Sequence, residues 1–289
     1  MAITAQGIVD QIQQKMGPGW KDSAVDTFMA GKPDTQVTGI VTTFAPSLEV
    51  LEKSVASGKN LIISRESPFW IRSGASGGGA GQAPNGLGQG NAHKVPENDS
   101  TYRAKLDYIA AHNLVVYRLF ANWNARQPDA QLQGLAKALG WEKYYKPSGG
   151  QPWASDNGFF VLPPATIKAT AENIKKTLKI KSIRIGGSPD TVVSKVALFP
   201  GLYWLNDVQK LMAEPGVKLL VAGEPKWENE FGPYIFDTAD AGMGTGQIMI
   251  GEEVSEEPGC GEMATWLKAF ITAVPVEHIA TGEPCWMPY

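Results

Sequence analysis

Residues 60–70 read NLIISRESPFW, and the change of character within this stretch decides the fold. Leu61, Ile62 and Ile63 form an apolar run of the kind carried by a strand buried on both faces. Arg65 and Glu66 then arrive at its C-terminal end. In open α/β sheets the crevice outside the carboxyl ends of the strands holds the ligand, so a charged pair there marks a candidate site as well as a strand end. Upstream, VTGIVTTF (37–44) reads as a strand, and Pro46, Ser47 and LEVLEKSVASG read as a helix with a Ser cap and a stop at Gly58. Downstream, YRAKLDYIAAHN is an amphipathic helix and LVVYRLF a strand, followed by ANWNARQPDAQLQGLAKALGW, a loop leading into a second helix. Strand and helix signals alternate in the βαβ manner, which predicts an α/β fold with a mostly parallel or mixed sheet covered by helices.

Beyond the Pro/Gly-rich break KPSGGQPWASDNG (146–158) the same grammar continues. TIKATAENIKKTLKI reads as a helix and SIRIGGSPDTVVSKVALFPG as two strands around the Gly186–Asp190 turn. WLNDVQKLM, PYIFDTADAGM and GCGEMATWLKAFITA are helices; VKLLVAGE, QIMIGEE and VPVEHIA are strands. The breaks divide the chain into an N-terminal α/β part (1–145), a middle lobe segment (146–215) and a C-terminal α/β part (216–289). The Gly-rich insertion 74–91 has no apolar period and no GK[ST], so it reads as a mobile lid or surface insertion, not a phosphate loop.

With 289 residues, 43% of them hydrophobic and 19% charged, the chain has enough apolar material for one large or two modest cores. A net charge of -3 provides no basic field for nucleic acid. No apolar run reaches the roughly 20 residues of a membrane span. MAITAQGIVDQIQQKM has no cationic n-region or apolar h-region, so the reading is a soluble cytoplasmic protein; the alternative is export after removal of an upstream signal. Two cysteines, Cys260 and Cys285, make neither a disulfide framework nor a metal-ligand spacing. Two readings stay open for them. If the strands QIMIGEE and VEHIA are parallel neighbours, both thiols lie beyond one sheet edge and can pair; otherwise they are two separate buried thiols.

Three apolar strands end in acid: at Glu66, at Glu224, and at Glu252 and Glu253, with Glu256 four residues after Glu252. Singly, such carboxylates cap the next helix or sit in water. Converging, they repel one another unless a cation or a raised pKa compensates, and Arg65 is such a cation.

The pattern VTGIVTTFAPSLEVLEKSVASGKNLIISRESPFW, then HNLVVYRLFANWNARQPDAQLQGLAKALGW, IRIGGSPDTVVSKVALFPG and QIMIGEEVSEEPG resembles the NIF-three-like family. Its members are also labelled GTP cyclohydrolase I type 2 homologues and dinuclear-metal hexameric proteins. The resemblance runs from about residue 35 to the C-terminus. It implies a two-lobed α/β fold with mixed sheets covered by helices, a metal cleft built from both ends of the chain, and a homo-oligomer.

Matched residue by residue, the chain departs from that family. His-His-Pro or His-Glu-Pro at the first site strand becomes Arg65, Glu66 and Ser67. A His-Asp-x-Trp-His motif becomes Phe120, Ala121, Asn122, Trp123 and Asn124, and the C-terminal Gly-His-x-x-Ser/Thr-Glu becomes Gly251, Glu252, Glu253, Val254, Ser255 and Glu256. Guanidinium has no lone pair to give, and Phe120 and Ala121 cannot ligate. Glu66, Asn124, Glu252 and Glu256 remain as hard oxygen donors suited to Mg or Ca, whereas His93, His112 and His278 do not match ligand positions. The expectation is therefore that no metal is bound, a divalent cation (Mg, Ca or a transition metal) being the alternative. Arg65 is expected to replace the metal electrostatically and to lie within salt-bridge distance of Glu252 or Glu256.

GEPKWENEFGPYIFDTADAG resembles a cleft segment of the subgroup, which makes Glu224, Trp227 and Glu228 candidate ligand-facing residues; Asp190 reads as turn-forming. Two function classes follow. One is a divergent member with a degenerate metal site and a binding or non-catalytic role, its partner a small molecule. The other is a metal-dependent hydrolase or cyclohydrolase-like enzyme using a carboxylate-rich site, with Glu66 and Glu256 as catalytic residues.

Overall fold

A computed structural model describes residues 3–69, 98–147, 157–226 and 228–288. The elements run α1 (Ala5–Met16), β1 (Phe28–Ala30), β2 (Ile40–Thr43), α2 (Leu48–Ala56), β3 (Leu61–Ser64), α3 (Ser100–Ala111), β4 (Val115–Arg118), α4 (Ala121–Ala125), α5 (Ala130–Ala138), β5 (Tyr145–Lys146) and β6 (Gly158–Thr166). They continue with α6 (Ile167–Leu178), β7 (Arg184–Gly186), β8 (Val192–Tyr203), α7 (Leu205–Met212), β9 (Val217–Pro225), α8 (Glu228–Asp240), β10 (Gly246–Met249), α9 (Glu252–Lys268) and β11 (Val276–His278). Two compact units form: Met1–Arg126 with Cys260–Thr281, and Gln127–Gly259 with Gly282–Tyr289. The sequence segments 1–145, 146–215 and 216–289 do not coincide with these units, because the chain returns to the first unit partway along α9.

In the first unit the sheet order among the described residues is β1-β4-β3-β2-β11. β2, β3, β4 and β11 are parallel, and β1 adds an antiparallel edge. Every residue of β2, β3 and β4 is buried, as the apolar run at 61–63 requires. On one face Ile62 and Val116 pack with Leu51 of α2 and Ile109 of α3. The Ser47 side chain caps α2 by accepting from the Val50 N–H at 3.2 Å, and Asp99 caps α3 by accepting from Tyr102 N–H at 2.7 Å.

The second unit holds a mixed sheet of order β5-β6-β8-β9-β10-β7. Side-chain alternation along its central strands builds a core on each face. Val196 and Leu198 of β8, with Leu219 and Val221 of β9, meet Leu132 and Leu135 of α5 and Ile167 and Ile174 of α6. Ala197 and Phe199, with Leu220 and Ala222, meet Val208 and Leu211 of α7. The first turn of α9 approaches this sheet closely at Gly201, whose φ of +79° suits glycine and where a Cβ would lie 2.4 Å from Glu256 Oε1.

Several elements differ from the sequence reading. The strands flanking the 186–190 turn share a sheet without being neighbours: β7 pairs with β10, and β8 with β6 and β9. QIMIGEE does not end as a strand in acid; β10 stops at Met249, and Glu252 opens α9. Acidic residues in a helix's first turn favour that start, and the helix tolerates Pro258 in its interior. The 121–129 loop contains the short helix α4, while α1, β1 and β6 were not anticipated. No helix among the described residues is long and apolar enough to cross a membrane.

Candidate functional site

The residues after β3 are turned by the neighbouring strand, with the Arg65 N–H donating to Thr43 O at 3.1 Å and the Glu66 N–H to Phe44 O at 2.7 Å. Arg65 is only 5% exposed. Its guanidinium donates through Nη1 to Asn124 Oδ1, and its Cζ lies 4.7 Å from the centre of the Phe120 ring. Arg118 ends β4 in register with Ser64 and is buried as well. Its Nη2 reaches Glu66 Oε2 at 2.8 Å, its Nε donates to Arg65 O at 3.1 Å, and its Cζ lies 4.8 Å from the same Phe120 ring. One phenyl ring thus serves two guanidinium groups, each contact contributing on the order of 0.5–2 kcal/mol.

Asp26 fixes the segment that carries Phe120 and Asn124. One of its oxygens accepts from the Phe120 and Ala121 N–H groups at 2.7 and 2.8 Å, and the other from the Asn122 N–H at 2.8 Å and Asn122 Nδ2 at 2.6 Å. A carboxylate here satisfies the opening N–H groups of α4. Burial, and then the charge of Asp26, push the Tyr117 hydroxyl well above its ordinary range. On the other side of the strand-end loop, Lys105 Nζ donates to Pro68 O at 2.6 Å, and burial lowers its pKa to about 8.

The acids at the other sequence-predicted positions belong to the second unit. Glu256 is 5% exposed against Gly201. Ser255 Oγ accepts from the Gly201 N–H at 2.8 Å and donates to Glu252 O at 2.7 Å, tying the first turn of α9 to β8. Glu224 lies within β9, half-exposed, 3.6 Å from Arg184 Nη2. Asp190 sits exposed in the loop between β7 and β8.

Of the residues singled out from the sequence, Arg65, Glu66 and Asn124 come together in the first unit, and Glu224, Glu252 and Glu256 belong to the second. Trp227, the insertion 74–91 and His93 lie outside the described residues, as does the side chain of Glu228. His112 caps α3 against Tyr108 at 4.3 Å, and His278 sits in β11 with Nδ1 3.0 Å from Thr42 O. Cys260 does not open a helix but lies inside α9, fully buried, and Cys285 is exposed; no disulfide joins them. The neighbouring-strand premise fails because β10 and β11 belong to different sheets. Sequence reasoning missed Arg118, although it carries the same signal as Arg65, a cation ending an apolar strand. Nothing in the sequence around Asp26 announces its role.

The donor set does not fit the dinuclear metal site that the family resemblance implies. Arg65 cannot ligate, Asn124 Oδ1 accepts from Arg65, and Glu66 is held by Arg118. Among the described residues no group of three or more His, Cys, Asp or Glu side chains is placed to hold a metal ion.

No protein-family profile and no curated protein sequence matches the chain. Solved structures do. A Bacillus cereus protein related to NIF3 aligns over 100% of both chains with a TM-score of 0.70 at 13% identity. The hypothetical protein SA1388 of Staphylococcus aureus aligns over 100% of both with a TM-score of 0.68 at 16% identity. The structural-genomics protein ybgI, of unknown function, covers 98% of this chain and 100% of its own with a TM-score of 0.66 at 19% identity. The chain therefore has the fold of the NIF3-related proteins, as its sequence motifs imply.

Proposed function

We propose that this chain is a non-catalytic, binding member of the NIF-three-like group, in which arginine charge stands where related proteins place metal ligands. The observation that carries the reading is the pairing of both arginines with the donors a metal would need: Arg118 with Glu66 at 2.8 Å and Arg65 with Asn124. A carboxylate in a charge-assisted bond to a buried guanidinium is already neutralised and has little to gain from a divalent cation. Arg65 adds direct repulsion toward any such ion. A small molecule is the partner class this reading retains, and a homo-oligomer is the assembly it carries over from the resemblance.

Elemental analysis of the full chain, purified without chelator, tests the proposal. The expected result is less than a tenth of an equivalent of Zn, Fe, Mn, Co or Ni per chain, and no turnover of GTP with or without added metal. One or more equivalents of a transition metal, lost together with hydrolytic activity on chelation, would establish the hydrolase reading with Glu66 and Glu256 in catalytic roles.

A further inference from the structure

A second set of donors lies at the end of α4, in residues that the proposed function does not use. Trp123 is 1% exposed, and its indole Nε1–H has no hydrogen-bond acceptor among the described residues. Such buried donors are rare in folded proteins, and each calls for an explanation. Three residues on, Arg126 places its guanidinium carbon 5.0 Å from the Trp123 ring centre and 5.4 Å from that of Trp266. Its guanidinium likewise has no hydrogen-bond acceptor among the described residues. Trp266 packs on Trp123 at 5.5 Å and edge-on to Phe270 at 4.8 Å, so the indoles beside Arg126 are held in a larger aromatic cluster. A guanidinium resting on ring faces keeps its N–H fork available at its edge.

We propose that the Arg126 guanidinium and the Trp123 indole N–H together form a binding subsite for a compact oxyanion, the carboxylate or phosphate group of a small molecule. The site supplies a charge-assisted fork and one buried neutral donor, the combination that selects a group with several oxygens over a simple halide. Burial lowers the pKa of Arg126 and the Glu262 carboxylate opposes this; a guanidinium stays a cation in either case. The same carboxylate repels surplus negative charge, which favours a singly charged group over a polyphosphate. The subsite uses no residue of the Arg65–Glu66–Arg118 cluster and stands or falls independently of the proposed function.

The test follows the indole N–H resonances of the full chain labelled with 15N-tryptophan. The chain has nine tryptophans, and comparison with Trp123→Phe assigns the Trp123 signal. Inorganic phosphate and sodium acetate are titrated at constant ionic strength against sodium chloride. The expected result is a saturable displacement of the Trp123 resonance by one or both oxyanions, and the one that saturates at lower concentration identifies phosphate or carboxylate as the preferred group. In Arg126→Lys, which keeps the charge but not the fork, binding weakens at least about tenfold, and in Arg126→Gln it disappears. A Trp123 signal unmoved by either oxyanion, moved equally by chloride, or titrating identically in Arg126→Gln would overturn the proposal.

Discussion

Replacing Glu66 separates an ion-pair role from a metal-ligand role by the sign of its effect on stability. Arg118 is 3% exposed and Glu66 20%, with 2.8 Å between Nη2 and Oε2. Glu66→Ala leaves a donor of a buried guanidinium without this acceptor. Removing one partner of a fully buried pair costs about 3–5 kcal/mol, and the fifth of the Glu66 side chain already open to solvent reduces that figure. The bond from Arg118 Nε to Arg65 O and the stacking on Phe120 survive. A loss of about 2 kcal/mol follows for Glu66→Ala, and about 1 kcal/mol for Glu66→Gln, which keeps a neutral acceptor. Urea unfolding followed by far-UV circular dichroism, with EDTA present throughout, reads these losses as lower midpoints at constant slope. A carboxylate kept for a metal and repelled by other carboxylates behaves oppositely: neutralising it stabilises the metal-free protein. Midpoints at or above the parent value in EDTA would refute the ion-pair assignment.

Three further outcomes are expected. Gly201→Ala combines a φ of +79° with a Cβ 2.4 Å from Glu256 Oε1 and should cost on the order of 2–3 kcal/mol, whereas Gly58→Ala, with φ +73° and nothing within 4 Å, should cost about 1 kcal/mol; equal losses in urea unfolding would show that the α9 contact does not matter. Burial lowers the pKa of His278 from its ordinary 6.5, outweighing the hydrogen bond to Thr42 that raises it. Because the unfolded chain then binds the proton more readily, stability should fall as pH drops below about 6.5 and through the folded-state value, and His278→Gln should lose that slope; an unchanged slope in the variant would place the titration elsewhere. With a thiol reagent under non-reducing conditions, the exposed Cys285 should react in the native protein and the buried Cys260 only after unfolding, and fewer than two thiols in denaturant would contradict the absence of a disulfide.

The parts of the fold that could be read directly are those in which local chemistry and burial agree. VTGIVTTF, LIIS and VVYR are short apolar runs bounded by a Ser-capped helix, a glycine and charged residues, and all three form buried parallel strands. GFFVLPPAT has no assignment in the sequence reading, and its Pro163 and Pro164 oppose a strand. β6 accommodates them with a register irregularity between Val161 and Ala165. The start of α9 was misjudged for a related reason: GEEVSEEPG contains a proline and two glycines, and the acidic first turn outweighs their low helix propensity once the segment packs on β8. In both cases tertiary contacts override a local signal that sequence reading weighs correctly.

The site was legible one charge at a time and illegible as a balance. Arg65 stood out because the family resemblance places a histidine at its position, and its inability to ligate follows from guanidinium chemistry alone. Which residue compensates Glu66 depends instead on strand register, since pairing Ser64 with Arg118 brings the end of β4 beside the end of β3. A shift of one residue would turn Arg118 to the other face of the sheet. Phe120 illustrates the same point: dismissed as unable to ligate, it is the ring on which both guanidinium groups rest. With a permanently charged, buried arginine at this strand end, the surrounding positions must supply anions, acceptors and a polarizable face, and those positions are neighbours in the sheet rather than in the chain. The Arg118–Glu66 pair is where that requirement becomes measurable, because its loss should cost stability whether or not any ligand is bound.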